Sequence, residues 1–287
     1  MTTESFDPRV TPARPDLAAR FLEGKVAAAR YVEGMMREVC EPQAPLRRAP
    51  AHDARLDTDA LQGERVVVYE TNEEGWAWAQ LEADRYVGWM PANALAEPGP
   101  TPTHRVSALR ALVFPGPSIK LPPIAALPFG AHLPIVRVHD RFAVSASGGY
   151  VPDVHLAPIG VHESDFVTVA ERFVGTPYLW GGKTSLGLDC SGLVQVALTA
   201  CGVPCPRDSD MQERTLGKPL HAADALPALE RGDLVFWPGH VAIARDRSTL
   251  VHANAFRMAV AVEAIAAAVA RIEAGGVAVS AVRRIAA

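Results

Sequence analysis

Residues 175–202 constrain the fold more than any other part of the chain, because a glycine-rich segment runs there directly into a helical pattern. The first half contains turn formers and aromatic residues and too many Gly and Pro residues for a regular element, so we expect an exposed loop. The second half predicts a helix that Asp189 caps and that ends at Gly202. This pattern places Cys190 in the first turn of a helix.

Cys190 has the setting of a nucleophile. The positive end of the helix dipole and the unpaired N–H groups of the first turn favour a thiolate over a thiol. The alternative is a small, buried apolar residue, which is how free cysteines commonly serve. Because the loop before Cys190 indicates exposure, we interpret it as a reactive thiol.

The composition bounds the class of protein. At 287 residues the chain is long enough for two or three domains, and its 49% hydrophobic and 21% charged residues are ordinary for a globular protein. A net charge of -4 gives no sign of a nucleic-acid or membrane partner. No apolar run approaches the roughly 20 residues that span a bilayer. The oligomeric state stays open.

The first residues lack the basic and apolar regions of a secretory signal. Four cysteines without such a signal indicate a reducing compartment, so we expect a cytoplasmic protein with free thiols. Cys201 and Cys205 are four residues apart, but no His or second Cys pair follows at zinc spacing. There is also no glycine-rich phosphate loop, so we expect neither a metal nor another cofactor.

Residues 1–41 are interpreted as an N-terminal extension that packs on a neighbouring domain. Within it, Asp16 could cap a short helix that carries Leu17, Phe21 and Leu22.

From residue 42 onward, short strands alternate with turns, which predicts a small β-barrel over residues 42–98. A weak internal repeat predicts a second barrel over residues 104–158, because Leu46-Arg47 returns as Leu109-Arg110 and Tyr86-Val87 as Tyr150-Val151. Residues 97–102 between them have the composition of a stiff linker. The strands predicted for the first barrel cover residues 44–48, 65–70, 76–81 and 86–90.

Helical periodicity after residue 158 predicts a third domain over residues 162–287. Ser164 or Asp165 can cap its first helix. The tail of this domain predicts a strand at 258–262, a helix at 265–272 and a strand at 277–285, and we see no chemistry in it.

Two histidines belong to a predicted hairpin within this domain. His240 heads a strand after a Pro-Gly turn, and His252 lies on the next strand beyond a turn at residues 246–248. As opposite or diagonal neighbours about 5 to 8 Å apart, one imidazole can hold the other. An imidazole suits the proton transfers that a cysteine nucleophile needs, so the sequence supplies a nucleophile, a base and an orienting group.

Four ordered motifs make residues 162–287 resemble the NlpC/P60 family of papain-like cysteine peptidases, and they stand at residues 178–182, 189–192, 232–237 and 239–243. The first barrel resembles a bacterial SH3 domain in Gly63-Glu64, Gly75-Trp76 and residues 86–89, whereas the second lacks the Gly-Trp pair. The resemblance implies an α+β fold in which two small SH3-like β-barrels precede a papain-like NlpC/P60 catalytic domain.

The resemblance also assigns roles to individual residues. Cys190 becomes the nucleophile, His240 the base and His252 the third polar residue. The backbone N–H of Cys190 and a donor from residues 178–182 would stabilise the oxyanion. Four residues are assigned to substrate binding: Tyr178, Trp180, Asp189 and Ser191. For one of the two aromatic residues, the alternative is ordinary loop packing.

Residues 207–212 match the Arg-Asp-Ser-x-x-Gln segment of the γ-D-glutamyl-L-diamino-acid endopeptidase (dipeptidyl-peptidase VI) subgroup, which carries SH3 domains. The subgroup cuts murein stem peptides between D-Glu and the diamino acid, after a free N-terminal L-Ala. The resemblance implies that Asp208 pairs with the substrate ammonium and that Ser209 donates to a peptide carbonyl. Glu64 and Tyr86 are candidates to help hold the amine. The alternative for Asp208 is a helix cap.

The sequence therefore predicts a cysteine peptidase that acts on murein stem peptides during cell-wall recycling in the cytoplasm. One alternative is a different amidase or acyltransferase on the same fold, which would cleave or acylate its substrate whether or not the L-Ala amine is free. Another is a catalytically inactive protein that binds murein peptides. The diamino acid, meso-diaminopimelate or L-Lys, is left open.

Overall fold

The computed structural model describes residues 6–285, apart from the side chains of residues 223 and 224, and divides into two units. The first unit ends at Ile159 and is built of strands and three short 3-10 helices, at Arg20–Leu22, Ala92–Ala94 and Asp153–His155. Its strands are β1 (Ala18–Ala19), β2 (Tyr31–Val32), β3 (Met35–Val39), β4 (Gln43–Arg47), β5 (Leu56–Leu61), β6 (Arg65–Thr71), β7 (Trp76–Leu81), β8 (Val87–Pro91), β9 (Leu95–Ala96), β10 (His104–Val106), β11 (Arg110–Val113), β12 (Ala125–Pro128), β13 (His132–Leu133), β14 (Ile135–His139), β15 (Phe142–Ser145), β16 (Tyr150–Pro152) and β17 (Leu156–Pro158).

The first barrel is a seven-stranded antiparallel sheet in the order β5-β4-β8-β7-β6-β3-β9. Its four predicted strands are confirmed as β4, β6, β7 and β8. The sheet also contains β5, which was not predicted, and β3, which lies within the predicted N-terminal extension. Strand β3 forms because it pairs with β6 and β9, far away in sequence. The barrel therefore uses residues ahead of the predicted start at residue 42.

The residues before β3 pack on the barrel, as predicted. Leu17 is fully buried in a cluster with Tyr69 and Trp78. The guanidinium of Arg14 lies 4.3 Å from the Trp78 ring centre and 4.9 Å from that of Trp89. The helix predicted after Asp16 is wrong, because β1 pairs there with β2 and leaves one 3-10 turn without a side-chain cap.

Strands β10 to β17 form three small sheets around one core that includes Val106, Leu127, Leu133 and Val151. The internal repeat has a structural counterpart. Strands β8 and β16 are each followed by a 3-10 helix and a short strand, and these short strands pair with β3 and β10, respectively. The assignment of this second group as an SH3-like barrel stays a prediction.

The second unit begins at Gly160 and mixes helices with strands. Its elements are α1 (Phe166–Arg172), β18 (Lys183–Thr184), β19 (Gly187–Leu188), α2 (Cys190–Ala200), α3 (Ser209–Thr215), β20 (Lys218–Leu220), α4 (Ala222–Ala225), a 3-10 helix (Leu226–Ala228), β21 (Asp233–Trp237), β22 (His240–Ala244), β23 (Thr249–Asn254), β24 (Ala259–Ala264), α5 (Ile265–Ala274) and β25 (Ala281–Arg284).

A six-stranded antiparallel sheet, in the order β20-β25-β21-β22-β23-β24, organises this unit. Helix α2 packs on β22 and β23, and α1 packs on α2. The predicted first helix, the His240 hairpin and the strand–helix–strand tail are all confirmed, with Asp165 as the N-cap of α1. Within residues 6–285, no helix combines the length and apolar character needed to cross a membrane.

Candidate active site

Helix α2 begins as its sequence predicts. The Asp189 carboxylate accepts hydrogen bonds from the backbone N–H of Gly192 at 2.7 Å and from that of Gly181 at 2.8 Å. Cys190 is the first helical residue, and Gly202 follows the end of the helix with a φ of +76°. The cap therefore fixes both the helix start and the loop that precedes it.

Cys190 is buried, with 7% of its surface exposed, so the predicted exposure is wrong. Burial, followed by the charge of Asp189, raises the pKa of the thiol to about 12. The backbone N–H groups of Val241 and Ser191 act in the opposite direction and favour the thiolate. The N–H groups of the first turn therefore favour the thiolate, as predicted, but burial outweighs them and the resting group is a thiol.

The loop before Cys190 is exposed at Leu179 and Trp180, as predicted, and is mostly buried from Gly181 onward. Strands β18 and β19 form a small buried hairpin ahead of the cysteine. A Cβ atom at Gly182 would lie 2.4 Å from the carbonyl oxygen of Gly187, so the two backbones approach more closely than a side chain at Gly182 allows. This close approach explains why the backbone at Gly182 and Gly187 is buried.

Arg207 stabilises both the start of α2 and the loop before it. Its guanidinium donates to both carboxylate oxygens of Asp189, at 2.9 and 2.7 Å, and to Ser191 Oγ at 2.9 Å. It also donates to the carbonyl oxygen of Gly182 at 3.3 Å. Asp189 and Ser191, which the resemblance assigned to substrate binding, therefore direct their side chains to partners within the protein.

Gln212 supplies a second internal anchor. This fully buried side chain donates to the carbonyl oxygens of Ser191 and Pro206, each at 2.9 Å. Arg207 and Gln212, the two ends of the 207–212 segment, thus hold the start of α2. The Arg-Asp-Ser-x-x-Gln match includes both residues but gave neither of them a role, because their contacts with Asp189 and Ser191 join positions about twenty residues apart.

Between these anchors lie Asp208 and Ser209, both partly buried. Asp208 is the N-cap residue of α3, but its side chain makes no capping hydrogen bond. Capping by the Asp208 carboxylate, which the sequence left open as its alternative role, is therefore not observed.

The two histidines meet as predicted. His240 Nε2 lies 2.9 Å from His252 Nδ1. Strand pairing places Ile243 opposite Val251 and Ala244 opposite Leu250, so the same register makes His240 and His252 diagonal neighbours on one face. Burial, followed by the charge of His252, lowers the pKa of His240 to about 3. His240 is therefore a neutral imidazole at neutral pH.

His252 continues the chain of hydrogen bonds to residues that sequence analysis missed. Its Nε2 lies 3.1 Å from Glu263 Oε2, on the neighbouring strand β24. Arg271 on α5 donates to both oxygens of Glu263, at 3.1 and 2.7 Å. These two residues lie in the tail to which no chemistry was assigned, and no motif distinguishes them.

The aromatic residues of the 178–182 motif differ in exposure. Tyr178 is partly buried. The pKa of its hydroxyl is raised, mainly by burial and to a smaller extent by the charges of Cys190 and Asp189. Its hydroxyl therefore lies within electrostatic reach of Cys190. Trp180 is 54% exposed. Lining of the substrate cleft by both residues stays a prediction.

Glu64 and Tyr86 belong to the first unit. Glu64 accepts a hydrogen bond from the backbone N–H of Leu61 at 2.9 Å, and Tyr86 is 2% exposed within the barrel core. Their contact with a substrate amine stays a prediction.

Comparison with known proteins adds two family matches. Residues 175–272 match the NlpC/P60 family, and residues 46–95 match the bacterial dipeptidyl-peptidase Sh3 domain. A solved structure of an NlpC/P60 family protein from Bacillus cereus ATCC 10987 superposes with a TM-score of 0.71 at 21% identity and covers 87% of this chain and 99% of that one. This likeness shows the shared fold.

Two relatives extend the similarity beyond single domains. Dipeptidyl-peptidase 6 from Lysinibacillus sphaericus is 32% identical over 74% of this chain and 84% of its own length. Gamma-D-glutamyl-L-lysine dipeptidyl-peptidase from Bacillus subtilis (strain 168) is 29% identical over 64% of this chain and 65% of its own. With its SH3 domain and its match to the peptidase motifs, the chain belongs to the NlpC/P60 family of cysteine peptidases.

Proposed function

We propose that this peptidase uses Cys190 as nucleophile, His240 as general base and His252 as the group that orients the base. One observation supports these roles above all. The Cys190 thiol lies at a helix start beside the Val241 N–H, and the preceding residue, His240, contacts His252 at 2.9 Å. These contacts support a nucleophile, base and orienting group made of one thiol and two imidazoles.

The protonation states define the first step. A thiol with a raised pKa and an imidazole with a lowered pKa do not exchange a proton at rest. His240 therefore accepts the proton as the sulfur attacks the carbonyl carbon, and backbone N–H groups near Cys190 stabilise the oxyanion. His240 then protonates the departing amine. Water hydrolyses the thioester and restores the thiol.

For the substrate, we propose the γ-D-glutamyl-diamino acid bond of murein stem peptides that carry a free N-terminal L-Ala. The names of the relatives support this choice, since the Bacillus subtilis protein and one from Bacillus cereus are both gamma-D-glutamyl-L-lysine dipeptidyl-peptidases. Asp208 would pair with the free ammonium, and Ser209 would donate to a peptide carbonyl. Their anchored segment, held by Arg207 and Gln212, provides a rigid support for such contacts.

We place this reaction in the cytoplasm, in the recycling of cell-wall peptides. The four free cysteines support a reducing compartment. Fractionation of cells that express the full-length gene tests the location, and recovery of the protein outside the cytoplasm would contradict it.

The activity is tested by mass spectrometry of digests of L-Ala-γ-D-Glu-meso-diaminopimelate and its L-Lys counterpart, each with a free or an acetylated amine. We expect L-Ala-γ-D-Glu to be released from at least one of the two free-amine peptides and from neither acetylated peptide. The Cys190→Ala variant should release none. Asp208→Asn is expected to lose most activity, whereas Asp210→Asn, which changes an exposed ion pair in the same segment, is expected to keep it.

Two outcomes would contradict parts of this proposal. Equal cutting of free and acetylated peptides would exclude the role given to Asp208. Absence of cutting would exclude the substrate and favour a different amidase or acyltransferase, or a protein that only binds murein peptides.

A further inference from the structure

Glu263 occupies a defined place beside the histidine pair. Leu250 lies opposite Glu263 and His252 opposite Ala261, so Glu263 is a diagonal neighbour of His252. The alternation of side chains along β22, β23 and β24 puts His240, His252 and Glu263 on one face of the sheet. The contacts at 2.9 and 3.1 Å join the three side chains in a single row.

Glu263 is held as a carboxylate. Its side chain is only 7% exposed, and Arg271 donates to both of its oxygens. The hydrogen bonds from Arg271 are the largest of the causes that lower the pKa of Glu263. The guanidinium of Arg271 is in turn placed 4.5 Å from the centre of the Phe256 ring. Glu263 is therefore ionised at neutral pH and can only accept hydrogen bonds.

An acceptor at the end of the row fixes the direction of every hydrogen bond in it. His252 must donate from Nε2 to Glu263, so a neutral His252 has an unprotonated Nδ1. His240 must then donate from Nε2 to that nitrogen. A neutral His240 consequently has its unprotonated nitrogen at Nδ1, the only ring nitrogen still able to accept a proton.

We propose that Glu263, clamped by Arg271, is a positioning residue that selects the reactive tautomer of His240 through His252. This inference rests on the proposed function of Cys190 and His240. When the Cys190 proton moves to His240 Nδ1, the imidazolium keeps its Nε2–H bond to His252. His252 and Glu263 keep their own protonation states, so one proton moves and no other group changes.

The alternative is that Glu263 only stabilises the fold and has no effect on the tautomer of His240. Glu263 and Arg271 also join β24 to α5, so any loss of the pair could lower stability alone. Glu263→Gln separates the two roles. The amide can donate to His252 Nε2, which permits the reversed row and leaves His240 protonated at Nδ1. Glu273→Gln is the matched control, because Glu273 is exposed on the same helix as Arg271.

The first readout is the tautomer of each histidine, measured by long-range proton–nitrogen NMR on the full chain labelled with 15N-histidine. His240→Gln and His252→Gln variants assign the signals. We expect Nε2–H tautomers for both histidines in the wild type, a mixture in Glu263→Gln, and the wild-type pattern in Glu273→Gln. An Nδ1–H tautomer at either position in the wild type would overturn the inference, even if Glu263→Gln does not fold.

The second readout is steady-state kinetics on the free-amine stem peptide. We expect kcat of Glu263→Gln to fall by about 10- to 100-fold with KM nearly unchanged, a part of the roughly 10²- to 10⁴-fold that a positioned base contributes. Glu263→Asp, which keeps the carboxylate, should recover part of the loss. A Glu263→Gln variant with lowered stability but unchanged kcat and tautomers would overturn the inference. A wild type that cuts no stem peptide contradicts the proposed function instead, and the NMR result still tests the tautomers.

Discussion

Arg207 and Asp189 form a buried ion pair in which Nη2 lies 2.7 Å from Oδ2 and Nη1 lies 2.9 Å from Oδ1. The two side chains are 1% and 10% exposed. The same carboxylate caps α2, so one guanidinium stabilises the helix start, the Gly181 backbone and the position of Cys190. The pair joins the start of α2 to a segment 18 residues further along the chain.

Arg207→Ala is expected to destabilise the second unit by about 3 to 5 kcal/mol, because it leaves the Asp189 carboxylate buried without its partner. Urea denaturation followed by circular dichroism measures the loss. The matched control is Arg214→Ala, which removes an exposed ion pair with Asp210 and should cost less than about 1 kcal/mol. Equal losses for the two variants would show that the buried pair contributes no more than a surface pair.

Gly192→Ala should destabilise the protein even though residue 192 lies within helix α2. Helix propensity alone predicts a gain of about 1 kcal/mol. A Cβ atom at Gly192, however, would lie 2.3 Å from the carbonyl oxygen of Gly182, so we expect a net loss of about 1 to 3 kcal/mol. Thermal unfolding measures the sign. Gly99→Ala, whose nearest neighbour would be 3.4 Å away, should be nearly neutral, and a stabilised Gly192→Ala would contradict the close packing.

Alkylation of Cys190 should depend steeply on pH. Because burial raises the pKa of the thiol to about 12, its thiolate fraction grows about tenfold for each pH unit up to that value. We expect the rate of labelling by iodoacetamide to follow this slope between about pH 6 and pH 9, measured by peptide mass spectrometry. Exposed Cys40 is the internal control and should react faster. A rate for Cys190 that is independent of pH would indicate a thiolate at rest.

Arg14→Ala should loosen the N-terminal extension from the first barrel. The substitution removes the contacts of the guanidinium with Trp78 and Trp89 and its ion pair with Glu70, together worth about 1 to 3 kcal/mol. Urea denaturation followed by tryptophan fluorescence measures the effect. Arg20→Ala, which removes an exposed pair with Glu23, should change stability by less than about 0.5 kcal/mol. A similar effect of both variants would contradict the role of Arg14.

Local interactions made much of the fold predictable. The Asp189 cap, Gly202 after the helix and the Pro-Gly turn before His240 each depend on a few neighbouring residues. The diagonal placement of His240 and His252 also follows from one hairpin, so their contact was expected before any coordinates. Strand β3 was missed for the opposite reason, because its partners β6 and β9 lie far along the chain.

The family, the positions of the candidate nucleophile and base, and the helix and strands that carry them could all be predicted from the amino-acid sequence. The burial of Cys190, the ion pair of Asp189 and the carboxylate beside His252 became visible only in the folded chain. The physical reason is that a pKa and an ion pair depend on how much water surrounds a group and which charges lie within a few ångströms. Packing between distant segments sets both, and no local pattern encodes it.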